Sequence, residues 1–226
     1  MNLFKGNLLA TVGFIIISII LFVAIFAPLL SPYDPNYIDI NSILLPPSFD
    51  NLMGTDGLGR DVLSRMLYGA RISLFVGFVA VGIATLIGIF LGSIAGFYGG
   101  WLDSIIMRLV DIMLSIPSFF LILAVIAFLT PSIWNIMIVI GLTSWMGVTR
   151  LVRAEFLSLR QRDYVLASIV MGTSNTKVIT KHLLPNSLTP IIVSSVLGIA
   201  SAVLIESGLS FLGLGVQAPT ASWGNI

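Results

Sequence analysis

The chain has 226 residues, of which 57% are hydrophobic and only 9% charged, and its formal net charge is +1. A water-soluble domain carries about 25% charged residues to face solvent, so this composition excludes one and places the chain in a bilayer. The near-neutral charge supplies no basic domain to neutralise phosphates, which excludes nucleic acid as a partner. Cysteine is absent, which excludes disulfides, thiolate metal sites and cysteine nucleophiles.

In chain order, MNLFKGN leads into an apolar stretch with no small-residue cleavage site, so it reads as a retained first span. Five stretches are long enough to cross about 30 Å of hydrocarbon as helices. They lie near Leu8–Leu30, Ile72–Phe97, Ile105–Leu129, Ile133–Leu151 and Ile191–Phe211. The connection 31–71 is rich in proline and aspartate, with Asp34, Asp39, Asp50, Asp56 and Asp61 set against Arg60, Arg65 and Arg71. The connection 150–190 holds Arg150, Arg153, Arg160, Arg162, Lys177 and Lys181 against Glu155 and Asp163. Lys and Arg concentrate on the cytoplasmic side. The basic connection is therefore expected inside and the acidic one outside, with the N-terminus and Lys5 inside. Five crossings then put the C-terminus outside.

On the second span Ala80, Ala84, Gly88, Gly92 and Gly96 recur every four residues. They form one ridge of small side chains, which lets another helix approach closely. Pro117 removes a backbone donor and is expected to kink the third span. Ionisable groups in spans are costly and often functional. Arg108 and Asp111, three apart on that span, either neutralise each other or line a pathway. Glu206 lies about 24 Å along the last helix from Pro190, near its outer boundary. There Ser207, Ser210 or water would satisfy it, or it lines a pathway.

The segment 163–186, DYVLASIVMGTSNTKVITKHLLPN, breaks the apolar pattern. Gly172 is a natural helix stop, and Thr173, Ser174 or Asn175 a natural cap for the next helix. Val178, Ile179, His182 and Leu183 share one face, and Lys177, Thr180 and Lys181 share another. Pro185 and Pro190 are expected to end this second short helix and restart the chain as a span. Two short helices joined at a glycine fit either a lipid-surface element or a dock for a soluble partner. His182 reads as structural, with metal ligation or pH sensing as the other role open to it.

The spacing of Ala167, Gly172, Leu184 and Pro185 resembles the signature EAA loop of ABC importer permeases. GTDGLGRDVLSRMLYGARISLFVG (54–77), GFYGGWLDSIIMRLVDIMLSIPS (96–118), DYVLASIVMG and ESGLSFLGLGVQAPTASWGN (206–225) resemble, in order, the dipeptide, oligopeptide and nickel subfamily. The likeness is to its dipeptide-permease C-type subunit, and it spans nearly the whole chain. It implies an all-α membrane protein with a MetI-like transmembrane domain, five spans present and a sixth missing beyond Ile226, for which truncation is the preferred explanation. Residues 1–70 would be an N-terminal span plus extracytoplasmic loop, and 71–226 the core, with a coupling loop at about 153–190.

The resemblance further implies an ATP-driven importer subunit in the cell membrane that forms half of a pathway for peptides or nickel. Its partners would be a homologous second permease subunit, two cytoplasmic ATPase subunits, an extracytoplasmic binding protein and the lipid bilayer. ATPase coupling would fall to Asp163, Tyr164, Leu166, Ala167, Ser168, Gly172, Leu184 and Pro185. Here Leu166 stands at the signature glutamate, Ser168 at an alanine and His182 at an isoleucine, so docking would rest on apolar burial. Gly54, Thr55, Asp56, Gly59, Arg60 and Asp61 form the mouth that meets the binding protein, a structured turn whose backbone geometry Gly54, Gly57 and Gly59 satisfy, or both. No Walker-type loop, paired-histidine zinc motif or nucleophile elbow occurs, so no enzymatic activity, cofactor or metal is expected of this chain. The competing class is an ion-gradient transporter, which usually carries internal repeats and midplane charges. Neither is visible here.

Overall fold

A computed structural model describes residues 8–226, so Lys5 and the N-terminal end lie outside the described residues. Helix α1 spans Leu8–Leu30, α2 Val62–Tyr98, α3 Gly100–Leu114, α4 Ser118–Ile126, α5 Ile133–Leu142 and α6 Trp145–Leu159. Then come α7 at Asp163–Val170, α8 at Asn175–Val178, a π-helical turn at Ile179–Leu183 and α9 at Leu184–Phe211. Among the described residues there is no strand, only an isolated bridge between Thr55 and Asp61.

By length and composition four helical stretches qualify as membrane spans: Leu8–Leu30, Val62–Tyr98, Ile133–Leu159 and Asn175–Phe211. A fifth is present if α3 and α4 count as one bent pair. That pair is the expected third span, and the kink expected at Pro117 is a full break of 79°. Pro117 caps α4 with an extended ψ of 121° and cannot supply the N–H that would continue α3. The second and last spans begin earlier than the hydropathy pattern places them, because their first turns carry polar residues.

The residues group into two compact units. One comprises the chain up to Phe75 together with Glu206–Ile226, and the other comprises Val76–Ile205. In the first, α1 buries only Ala24 and Ala27 and exposes nearly all its large apolar side chains. That pattern suits a span whose solvent is lipid.

In the second unit the small-residue ridge of α2 lies against α6 of the same chain. A Cβ added at Gly88, Gly92 or Gly96 would come within 2.5–2.7 Å of Val148, of Val152 and the Thr149 carbonyl, or of Phe156. Close backbone approach of this kind replaces the missing hydrophobic drive with dispersion contacts. Phe97, Val148, Val152, Phe156, Val165, Val178, Leu183 and Ile191 form one buried cluster. It joins the end of α2 to α6, α7, α8, the π-turn and the start of α9.

The two-helix expectation for 163–186 holds at its first joint and fails at its second. Gly172 stops α7 with φ 80°, and Ser174 occupies the N-cap position of α8 without a side-chain bond. Asn175 to Phe211 then runs as a continuous helix, so Pro185 and Pro190 lie within it and do not end a separate element. The π-turn explains the continuity. The Leu184 N–H reaches back to the Ile179 carbonyl, which widens the helix just where the Pro185 ring would strike the preceding turn. The Asn186 amide then donates to the His182 carbonyl at 2.6 Å.

Candidate functional site

Three groups of side chains stand out, each within one unit. The first is α7 and its surroundings. Val165 and Ser168 face inward, and the Ser168 hydroxyl donates to the Val165 carbonyl at 2.8 Å. The opposite face presents Tyr164, Leu166, Ile169, Val170 and Met171, with Val170 86% and Met171 79% exposed. Asp163 and Ala167 are also exposed. Ser168 is thus no surface contact residue, contrary to expectation, because the three-residue step from Val165 puts it on the packed stripe. Of the two remaining signature residues, Leu184 is half-buried and Pro185 exposed. His182 has a neighbour, the Tyr164 ring, 6.3 Å between centroids. Val178 and Leu183 are buried, and Lys177, Thr180 and Lys181 are exposed, as the face pattern predicts.

The second group is the loop 31–61. The Asp56 carboxylate accepts the Leu58 and Arg60 N–H groups at 2.9 and 3.0 Å and the Arg60 Nε at 2.7 Å. Gly54 and Gly59 take positive φ, 73° and 74°. Thr55 donates to the Ser42 carbonyl and accepts the Leu45 N–H. Asp61 caps α2, accepting the Ser64 N–H at 2.8 Å and its hydroxyl at 2.6 Å. Gly54 and Gly59 thus take the special backbone geometry that a structured turn at GTDGLGRD asks of its glycines, and Gly57 does not. Arg65, which the sequence did not single out, is buried with its Nη1 on the Pro35 carbonyl at 3.3 Å. Burial pushes the Asp56 carboxyl up, and the bonds from Arg60 and Leu58 outweigh it and hold it below the usual carboxylate range.

The third group centres on Glu206, which is fully buried. Its Oε2 accepts from Ser73 at 2.8 Å and its Oε1 from Ser210 at 2.6 Å. Ser210, as expected, and Ser73 of α2 satisfy the carboxylate, and Ser207 makes no such bond. Ser73 also accepts the Trp223 N–H at 3.2 Å, and Ser210 accepts the Val216 N–H at 2.9 Å. Residues 206–225, which carried part of the resemblance, thus fold around this acid.

Asp111 pairs with Arg150 of α6 and not with Arg108, so mutual neutralisation along α3 is not what the structure holds. Arg108 is exposed. A groove of about 190 Å³ in the second unit is lined by small and hydroxyl residues, among them Ala84, Ser144, Ser194, Gly198 and Ser201. The sequence reading missed it, although Ser194, Gly198 and Ser201 fall at helical spacing opposite the α2 ridge. Among the described residues no group of three His, Cys, Asp or Glu side chains converges to hold a metal ion.

The described residues are all helical, with four apolar helices long enough to cross a membrane, or five if the bent pair counts as one, which defines a polytopic membrane protein. Residues 88–226 match the family described as binding-protein-dependent transport system inner membrane component, and the chain belongs to that family. Residues 2–47 match the N-terminal transmembrane domain of oligopeptide transport permease C. The dipeptide transport system permease protein DppC of Alkalihalophilus pseudofirmus is 46% identical over 222 residues, covering 98% of this chain and 73% of that protein. The oligopeptide permease OppC of Bacillus subtilis is 42% identical over 223 residues, covering 99% and 73%. The probable D,D-dipeptide permease DdpC of Escherichia coli is 46% identical over 220 residues, covering 97% and 74%.

Proposed function

We propose that the chain is one transmembrane subunit of an ATP-driven importer of peptides and forms half of the translocation pathway. A second, homologous permease subunit completes the path. Two cytoplasmic ATPase subunits drive it, and an extracytoplasmic binding protein delivers the cargo. Residues 71–226 act as the core, with the coupling loop at about 153–190, whose helix α7 is the part that receives the ATPase. The N-terminus lies in the cytoplasm. ATP hydrolysis belongs to the partners, and nickel chelates are the other cargo class that the subfamily handles.

The observation that carries this reading is the outward face of α7. Tyr164, Leu166, Ile169, Val170 and Met171 make an apolar knob on a helix flanked by cations. Leu166 stands where the signature has glutamate, so burial in an ATPase groove supplies the affinity, about 1.5–3 kcal/mol for one complete side chain. The chain has no cysteine, so an introduced one reports without background. Val170→Cys should crosslink to a cysteine in the ATPase groove, and Ser48→Cys should not. Uptake of a labelled dipeptide into vesicles should require both ATP and the binding protein. Uptake driven by an ion gradient alone would overturn the proposal in favour of a secondary transporter.

A further inference from the structure

Helix α6 ends at the turn that leads into α7, and two arginines, one about two turns before that end and one at its C-cap, reach across to the corner between α2 and α3. Arg153 grips Asp103 with two nitrogens, its Nε on Oδ1 and its Nη2 on Oδ2 at 2.6 Å. Asp103 lies in the first turn of α3. Arg160, the C-cap of α6, donates its Nη1 to the Phe97 carbonyl at 2.7 Å. Its guanidinium also sits 5.7 Å from the centre of the Phe97 ring.

These contacts fall where the chain needs them. Phe97 is in the last turn of α2, where helix carbonyls lack intrahelical partners and the dipole favours a cation. The corner itself is Gly99–Gly100, both at positive φ, 66° and 59°. It has no side chain of its own to stiffen it. One arginine holds the end of α2 and the other the start of α3. Below them Phe97, Phe156 and Val165 of α7 share one buried cluster.

Exposed ion pairs contribute little, which makes exposure the deciding quantity. In the Arg153–Asp103 pair the side chains are 32% and 19% exposed, and the grip is bidentate. In the neighbouring Arg150–Asp111 pair they are 51% and 60% exposed. The second pair is an internal control for the first.

We propose that Arg153 and Arg160 are positioning residues that clamp the α2–α3 corner to the coupling segment. Displacement of α7 then moves α6, the end of α2 and the start of α3 as one piece and is not absorbed in the turn at 160–162. This rests on α7 being the ATPase-coupling helix.

The test uses the whole transport complex reconstituted in liposomes, with a labelled dipeptide and the binding protein. Four variants are compared: Arg153→Asp, Asp103→Arg, the double swap, and Arg160→Ala, with Arg150→Ala as control. Each is read three ways: co-purification of the ATPase subunits, basal ATP hydrolysis, and peptide imported per ATP hydrolysed. The singles and Arg160→Ala should keep the ATPase bound and hydrolysing while import per ATP falls about tenfold, the scale of one lost charge-assisted tie. The double swap should restore most of that loss, which assigns the effect to the pair; lost import per ATP with the ATPase still bound and hydrolysing is the outcome a merely structural role would not produce. Normal coupling in the singles, failure of the swap to rescue, loss of the ATPase from the complex, or an equal effect of Arg150→Ala would each overturn the clamp. Failure of the proposed function looks different, because the unaltered complex would then import without ATP.

Discussion

Ser73 donates its hydroxyl proton to Glu206 at 2.8 Å across 133 positions of sequence. The carboxylate is fully buried, and hydroxyls from Ser73 and Ser210 take its two oxygens. Ser73 also holds the Trp223 N–H, so one hydroxyl ties the acid to the terminal segment 211–226.

Ser73→Ala should therefore be costly beyond its size. It leaves a buried carboxylate short of a donor and a backbone N–H short of an acceptor. The expected loss is about 1–3 kcal/mol, the desolvation cost of an unsatisfied buried group. Thermal unfolding of the purified protein in detergent measures it. Glu206→Gln keeps the shape and an acceptor, and should be milder than Glu206→Leu. If Ser73→Ala melts with the unaltered chain, the acid does not hold that segment.

Gly92→Leu should disrupt the packing of this chain on itself. An added Cβ would meet the Thr149 carbonyl and the Val152 Cβ, both at 2.7 Å, and neither belongs to a flexible side-chain end. Overpacking of this kind costs about 1–3 kcal/mol. Phe90→Leu, at a side chain 66% exposed, is the control and should be near neutral. A Gly92→Leu chain as stable as its control would remove the ridge from the α2–α6 interface.

The ridge illustrates what the sequence makes legible. A four-residue repeat of Ala and Gly announces a close approach, but the partner helix is set by the chain's return path, which no local pattern encodes. The first span is legible, down to its end at Leu30, because lipid imposes a continuous apolar run. The third is legible only as a bend, since hydropathy does not register the N–H that Pro117 lacks. Pro185 misleads for the opposite reason: the π-turn before it absorbs the ring, and such turns have no side-chain signature. Arg153 stands in the sequence only as one cation of the basic connection and nothing there marks Asp103 as its partner, because a pair fifty positions apart becomes a pair only when the helices cross.

The loop 39–61 should loosen in acid and stay constant through neutral pH. Burial raises the Asp56 carboxyl, and the N–H groups of Arg60 and Leu58 with the Arg60 guanidinium more than offset it, so the folded value is depressed. Asp39 is depressed as well, chiefly by the Ser42 hydroxyl and then by the Asn41 N–H. A depressed carboxyl stabilises fully above its unfolded value, about 3.9, and that contribution is lost as pH falls through the folded value. Hydrogen-exchange protection in this loop, taken relative to the intrinsic rate at each pH, should therefore be flat from about pH 5 to 8 and fall below about pH 4. Asp56→Asn should be less protected than the unaltered chain above about pH 4 and lose most of the acid fall. A step near pH 6 would assign the loop's stability to another group.

Membrane sidedness can be read at two exposed positions. Phe49 stands fully exposed in the acidic loop, and Met171 is 79% exposed beside the end of α7. The charge bias leads us to expect the acidic loop outside and the basic segment inside. In intact cells Phe49→Cys should react with an impermeant maleimide, and Met171→Cys should react only after permeabilisation. Inverted labelling would reverse the topology and remove α7 from reach of a cytoplasmic ATPase.

Gly172 isolates backbone geometry from packing. Its φ is 80°, and a Cβ built there meets nothing within 4 Å. Substitution therefore strains the joint between α7 and α8 without any clash. For a non-glycine residue the left-handed conformation costs about 1–2 kcal/mol, and asparagine tolerates it better than most. A β-branched residue tolerates it least. Import per ATP should fall in the order Gly, Asn, Ala, Val at this position, with binding-protein docking unchanged throughout. Asparagine should retain most of the activity that valine loses. If valine imports as well as glycine, the joint need not hold its left-handed turn during transport, and α7 does not work as a rigid coupling element. If all three variants fail alike, the glycine is needed for closeness to a partner and not for its conformation.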